Sequence, residues 1–227
     1  MRLPESSFLE YLIRKNNLGR WGFFRFVFFD GMLFASKEKW WGKKGLRSSS
    51  HEGLDLCFFE DHHGNGFRLD ESATVPMLYD GKVAHIMDDF LGKTVITRHL
   101  IDIGISGGSG QAAAGQVPIL SIYGHLTPDR ELRIGDVVKQ GEVFATIAAI
   151  DNRKKKLLPH LHISLARPEM LPPALQIEWA LLNKVDQSVF IDPFFALQPA
   201  CRVMTYDDTL NVSQKFLPCA SIATAGA

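Results

Sequence analysis

Apolar residues follow two different periods along this chain of 227 residues. Near the N-terminus they recur at helical spacing, which predicts a helix over residues 6–18. Ser6 or Ser7 would cap its start, and Gly19 would end it. From Phe23 onward the apolar residues become aromatic and β-branched, which is typical of strands.

Turn residues divide the strand region. Asp30-Gly31 lies between the runs FRFVFF and MLFAS and predicts a β-hairpin. Between Val75 and Ile150, Gly, Asp and Pro turns separate the runs MLYDGKVAHIM, KTVITRHL, PILSIYGHL and EVFATIAAI. Their spacing is typical of a sandwich or barrel, so we predict a mainly β fold.

Longer segments interrupt or follow these strands. Residues 56–74 and the low-complexity segment 104–116 are both long enough to flank a groove, and the composition of the second predicts a mobile loop. After HLHISLARP, prolines end the strand, and LQIEWALLNKV predicts a helix that begins near Pro173. The tail from about Cys201 has little periodicity.

Charge and cysteine content exclude several classes of protein. Lys and Arg together number 25, as do Asp and Glu, so no global basic field exists to hold nucleic acid or an anionic membrane. The basic run 153–156 is most simply a solvated turn. Cys57, Cys201 and Cys219 form no disulfide framework or CxxC motif; the last two have the option of pairing in an oxidising compartment, with free thiols the equal alternative.

The chain shows no targeting or membrane segment. Charged residues interrupt every apolar run near the N-terminus, so no signal peptide is visible. The Phe-rich stretch 21–34 is too short and too interrupted to be a transmembrane segment.

Two short motifs contain histidine and aspartate residues at spacings that put their side chains on one side of an extended backbone. In HEGLD, Gly53 favours an extended or looped backbone, in which His51 and Asp55 face the same side. In HLH, the i, i+2 spacing places His160 and His162 on one face of a strand. A third motif, YGHL, closes another strand.

These side chains are of the types that bind catalytic zinc. Hydrolytic zinc sites use three protein ligands and keep a fourth position for water. Such an ion lowers the pKa of the water toward neutrality and polarises a carbonyl group, and further histidines can then move protons. A lone histidine is more often a surface or satisfied residue. We therefore predict that His62, His63 and His85 are surface residues, whereas His99 fits either a groove or the edge of the core.

HEGLD, YGHL and HLH, in that order, resemble the three signature motifs of the LytM/lysostaphin zinc metallopeptidases, which cut peptide bonds in bacterial peptidoglycan. The segments YDGKVAHI, GKTVITRH and LRIGDVVKQGEVFATI also resemble that family's connecting strands. The resemblance covers roughly residues 45–168. It implies a compact, mostly antiparallel β barrel or sandwich with an open groove over the metal.

The resemblance also implies roles for five residues. One zinc ion per chain would be held by His51, Asp55 and His162, and His125 and His160 match the two catalytic histidines that do not bind metal. The implied activity is hydrolysis of amide bonds in peptidoglycan stem or cross-bridge peptides. The implied location is the periplasm or the outside of the cell.

The chain extends beyond this resemblance at both ends. We expect residues 1–44 to form a helix and hairpin packed on the core, residues 45–168 to form the metallopeptidase core, and residues 169–227 to add a helix and tail. Trp40 and Trp41 precede the first motif; aromatic pairs of this kind more often pack in the core than contact a substrate.

Two other functions fit parts of the sequence. A non-catalytic relative would bind a partner or activate another wall hydrolase after losing zinc ligands, but all five positions are retained here. The run IGDVVKQGEVFATI also resembles turns of biotinyl or lipoyl carrier domains. That alternative lacks the Met-Lys-Met neighbourhood of a carrier and leaves HEGLD and HLH unexplained.

Overall fold

The structure, a computed structural model, describes residues 3–105, 113–150, 157–207 and 212–219. Within these ranges the predicted mainly β fold is confirmed. The strands are β1 (Phe23–Phe29), β2 (Leu54–Leu56), β3 (Phe58–Asp61), β4 (Gly66–Arg68), β5 (Thr74–Pro76), β6 (Gly81–Asp88), β7 (Lys93–Ile105), β8 (Ala113–Pro128), β9 (Val137–Val138), β10 (Val143–Ile147), β11 (Leu161–Ala166), β12 (Phe190–Ile191), β13 (Cys201–Met204) and β14 (Phe216–Pro218). The α-helices are α1 (Phe8–Lys15), α2 (Trp179–Leu182), α3 (Phe194–Leu197) and α4 (Val212–Lys215).

The larger sheet is antiparallel and carries all three histidine motifs. It has nine strands, six of them in the order β12-β11-β8-β7-β6-β9, with β2 paired to β11 and β10 paired to both β8 and β5. Strand β8 changes partner along its length, because residues 120–124 pair with β11 and residues 126–128 pair with β10. No pairing among the described strands closes this sheet into a barrel.

A second sheet of five strands, in the order β13-β1-β3-β4-β14, packs beside it. Residues 56–74 supply β3 and β4, so that predicted interruption is in large part sheet rather than one long loop. The pairs at both edges, β1 with β13 and β4 with β14, are parallel. Phe8 of α1, Phe26 of β1 and Ile163 of β11 belong to one continuous core.

The predicted hairpin at Asp30-Gly31 is wrong. Residues Asp30–Met32 form a 3-10 turn, and β1 pairs with β3 and β13 instead of the run that follows it. The structure shows another reason for Gly31: a Cβ there would lie 2.7 Å from the Glu38 carbonyl oxygen, so the glycine lets a later loop pack against the turn.

The two predicted helices are both shorter than expected. The first spans Phe8–Lys15 and ends before Asn17, which takes a left-handed φ of 52°. The second is reduced to a 3-10 turn at Ala174–Gln176 and the single turn of α2. Between them Glu178 is extended, and this break lets Ile177 point fully into the core.

The remaining predictions concern loops and cysteines. Strands β7 and β8 extend into segment 104–116, whose centre, residues 106–112, lies outside the described residues, as does the basic run 153–156. Cys201 and Cys219 are free and lie at opposite edges of the five-stranded sheet. The disulfide that the sequence allowed between these two residues is therefore not formed in the structure.

No helix in the described ranges has the length and apolar character needed to cross a membrane.

Candidate metal centre

The HEGLD motif lies flat against strand β11. A Cβ on Gly53 would lie 2.5 Å from the Ile163 carbonyl oxygen, so only glycine allows this approach. Strand β2 starts directly after Gly53, and within it Asp55 pairs with His162 of β11. His51 folds back toward the same point, which places its Nε2 3.2 Å from Asp55 Oδ1.

Three donor atoms converge there. His162 Nδ1 lies 2.9 Å from Asp55 Oδ1 and 3.1 Å from His51 Nε2. A tetrahedral zinc ion with bonds of about 2.0–2.1 Å holds its donors roughly 3.3 Å apart. The observed separations agree with that value within a few tenths of an ångström, so the three residues fit zinc.

The hydrogen-bond partners of the outer ring nitrogens of His51 and His162 determine the tautomers of these two residues. His51 Nδ1 lies 3.0 Å from the Leu33 carbonyl oxygen, which only accepts, so Nδ1 carries the proton. His162 Nε2 lies 2.8 Å from Ser164 Oγ and 3.5 Å from the Glu52 carboxylate, which favours a proton on Nε2. Both inner nitrogens therefore present lone pairs. Lone pairs facing a carboxylate oxygen at this distance repel unless a cation lies between them.

The second oxygen of Asp55 is held from the loop that precedes the first motif. Trp40 Nε1 donates to Oδ2 at 2.7 Å, and an Arg47 guanidinium nitrogen lies 3.5 Å from it. Burial alone would raise the pKa of Asp55, but the neighbouring imidazoles of His51, His160 and His162 hold that pKa well below its usual range. Asp55 is therefore a carboxylate that presents one oxygen to the site.

His160 stands beside this cluster with a defined tautomer. Its Nδ1 lies 2.8 Å from the Leu158 carbonyl oxygen and must donate the proton, so Nε2 is an acceptor. That Nε2 lies 3.9 Å from Asp55 Oδ1. Burial lowers the pKa of His160 to about 3, outweighing the attraction of Asp55. The ring centroid of His125 is 4.8 Å away.

Asp55, His125, His160 and His162 line one cleft of about 600 Å³, and His51 reaches the ligand cluster from behind its wall through Asp55 and His162. The loop over residues 39–50 forms one wall, and Phe90 and Trp179 line other parts of it. Residues 56–74 and the described ends of segment 104–116 do not line it. The two tryptophans lie in different environments. Trp40 packs in the core against Phe58 and His160. Trp41 faces the cleft and lies beneath the Arg47 guanidinium.

The other histidines lie outside the cleft. His62 and His63 are exposed, as predicted, and His85 is half-buried on β6 rather than fully at the surface. His99 is fully buried in the core, where Nδ1 lies 3.0 Å from the Asp80 carbonyl oxygen and Nε2 contacts the Ser121 hydroxyl.

Sequence reasoning missed three residues that contact the site. Trp40 was recognised as a packing residue but not as a partner of Asp55. Asp89, beside His125, has the sequence pattern of an ordinary turn residue. Trp179 lies beyond the motifs, yet its ring centroid is 5.4 Å from that of His162. None of these contacts follows from local spacing.

No protein-family model matches the chain, and no curated protein matches it. It is similar to the solved structure of the antimicrobial peptidase lysostaphin from Staphylococcus simulans, with 17% identity and a TM-score of 0.37 over 72% of this chain and 52% of that chain. The structure of LytU gives 17% identity and a TM-score of 0.36 over 70% of this chain and 81% of that chain.

The catalytic domain of a mutant of the prophage-encoded M23 protein EnpA from Enterococcus faecalis gives 19% identity and a TM-score of 0.34 over 70% of this chain and 88% of that chain. The present chain thus spans about half the length of the lysostaphin structure. At such low scores and identities, function has to be argued from the geometry of the site.

Proposed function

We propose that this protein is a zinc-dependent endopeptidase of the LytM/lysostaphin type, which hydrolyses amide bonds in the stem or cross-bridge peptides of peptidoglycan. One observation carries the proposal: the inner atoms of His51, Asp55 and His162 face one point in a cleft, with two more imidazoles beside them. The motif resemblance supplies the substrate class. The protein would then act where peptidoglycan is found, in the periplasm or outside the cell.

The three ligands are prepared by their outer contacts. His51 would bind zinc through Nε2, His162 through Nδ1 and Asp55 through Oδ1, because their other polar atoms already have partners. Such outer partners orient metal ligands and raise metal affinity. Zinc held there would activate a water molecule and polarise the carbonyl group of an amide bond.

The two remaining histidines would handle protons and charge. His160 is neutral with an accepting Nε2, so it is suited to take a proton from the attacking water. His125 lines the same cleft and would share the tasks of proton transfer and stabilisation of the oxyanion. Both groups reach the cleft from the same side of the ligand cluster, since their rings contact each other.

The test combines zinc content with hydrolysis. Metal-stripped protein should regain one zinc per chain, and the reconstituted protein should release soluble fragments from purified cell walls, with a chelator abolishing release. Walls of several cross-bridge types should be compared. His162→Ala should lower zinc occupancy and activity, whereas the control His62→Ala, at an exposed histidine, should change neither.

Two results would contradict the proposal. A His162→Ala protein that retains zinc as tightly as the parent would remove that residue from the ligand set. Parent protein with full zinc but no cleavage of any wall or model peptide would instead favour a binding module.

A further inference from the structure

His125 occupies a β-bulge. On either side of it, Tyr123 pairs with Val95 and Leu126 pairs with Lys93, so β8 has one more residue than β7 in this interval. His125 takes a left-handed φ of 65°, which non-glycine residues rarely adopt. Bulges of this kind redirect a side chain and leave a backbone N–H without a ladder partner.

Asp89 satisfies that N–H. Its Oδ2 accepts from the His125 backbone nitrogen at 2.8 Å, and its Oδ1 lies 3.3 Å from His125 Nδ1. The same carboxylate accepts from the backbone nitrogens of Leu91 and Gly92, both at 2.8 Å. One buried group therefore closes the β6–β7 turn and contacts His125 twice.

Because a carboxylate only accepts, the proton between Asp89 and the imidazole must sit on Nδ1 of His125. Burial alone would raise the pKa of Asp89, but the side-chain and backbone hydrogen bonds from His125 hold that pKa below its usual range. Asp89 is thus ionised at neutral pH. The second ring nitrogen, Nε2, lies on the opposite side of the ring and remains available to the cleft.

A second contact keeps Asp89 in place. The Thr94 hydroxyl donates to Asp89 Oδ2 at 2.8 Å, and Trp179 Nε1 donates to the same hydroxyl oxygen at 2.8 Å. The Trp179 ring lies almost parallel to the His125 ring, at 18°, with centroids 6.4 Å apart. Phe90 meets that imidazole edge-on with centroids 4.9 Å apart.

We propose that Asp89 is a positioning residue that fixes His125 in the Nδ1–H tautomer and aims its Nε2 into the cleft. The catalytic consequence rests on the proposed function, whereas the tautomer and orientation rest only on the contacts above. A residue that merely capped the β6–β7 turn would leave the tautomer of His125 unaffected by loss of its charge.

The test begins with the unsubstituted protein. Nitrogen NMR of the histidine side chains, with His125 assigned by its loss in His125→Gln, should show the neutral ring of the zinc-loaded protein as the Nδ1–H tautomer. Asp89→Asn should abolish that preference and lower kcat by about a hundredfold, the scale of one positioned proton-transfer group, while KM and zinc content stay near parent values. Asp88→Asn is the matched control, because Asp88 is exposed and adjacent and pairs with Lys93.

Three results would overturn the proposal: an Nε2–H tautomer in the parent, an unchanged tautomer in Asp89→Asn, or an equal effect of Asp88→Asn. If Asp89→Asn does not fold, Thr94→Val is the second variant, since it removes one donor to Asp89 and should weaken the tautomer preference; no change there would also overturn the proposal. A parent protein with the expected tautomer but no hydrolysis would support the positioning role and contradict only the proposed function.

Discussion

At the scale of single residues, Trp40 contacts both a proposed zinc ligand, Asp55, and a proposed catalytic histidine, His160. Its indole N–H donates to Asp55, and its ring meets that of His160 edge-on with centroids 5.1 Å apart. Removing a partner of a metal ligand typically costs about 10–100-fold in affinity. We therefore expect Trp40→Phe, which keeps the ring but loses the N–H, to bind zinc roughly tenfold or more weakly in competition with a chelator.

Trp41→Phe is the matched control for that change. Trp41 lines the cleft beneath Arg47, and phenylalanine keeps a ring in that place, so its replacement should leave zinc affinity unaltered. Equal affinities for the parent and Trp40→Phe would show that the indole N–H does not hold Asp55 in a binding geometry.

Substitutions of the proposed zinc ligands and of the two other histidines should have different effects on zinc content and on hydrolysis. His125→Ala and His160→Ala should keep zinc and fold but lose about a hundredfold or more of hydrolysis, because their imidazoles serve proton transfer. His51→Ala and Asp55→Ala should lose both. Zinc analysis and wall digestion on the same preparations test this, and full activity in both of the first two variants would refute the mechanism.

At the scale of elements, the site depends on the close contact of β2 with β11. Gly53→Ala would place a methyl group against the Ile163 backbone, which cannot move without shifting the strand. Overpacking of this kind costs about 1–3 kcal/mol, so we expect a comparable loss in unfolding free energy, measured in urea, together with weaker zinc binding.

Gly19→Ala provides the comparison for that variant. A Cβ at Gly19 meets no atom within 4 Å, so this substitution should cost almost nothing. If both variants were equally stable and bound zinc equally well, the tight approach of HEGLD to β11 would not matter.

Elements were predictable where the information is local. The predicted run PILSIYGHL lies within strand β8, and the run EVFATIAAI contains strand β10, since alternation and turn residues act over a few positions. The hairpin at Gly31 failed because that glycine serves packing against residues far along the chain. The placement of His160 and His162 followed from their spacing, whereas the role of Asp89 depends on a bulge in β8 that brings His125 beside the β6–β7 turn. Long-range contacts of this sort leave no pattern in neighbouring residues.

At the scale of the whole molecule, His99 ties stability to pH. Burial lowers its pKa in the folded state to about 4, against about 6.5 in an unfolded chain. The unfolded state therefore binds more protons between these values, and stability falls as pH drops from about 6.5 to 4. The loss should approach 1.4 kcal/mol per pH unit, on the order of 3 kcal/mol in all.

Urea unfolding of the parent and His99→Gln at several pH values between 7.5 and 4 tests this linkage. The variant should have a flatter dependence, because glutamine does not titrate. The exposed His62 supplies the control, since His62→Gln should follow the parent curve. Identical slopes for the parent and His99→Gln would contradict a neutral, buried His99.

The parallel edge of the smaller sheet has a consequence for synthesis. Strand β1 leaves the ribosome well before its edge partner, which lies roughly 175 residues later, where Phe26 pairs with Cys201. Contacts so distant in sequence slow folding, because a long loop must close before they form. Until then the Phe-rich edge of β1 remains open to pairing with other chains. The nascent protein should therefore need protection from aggregation until β13 has emerged.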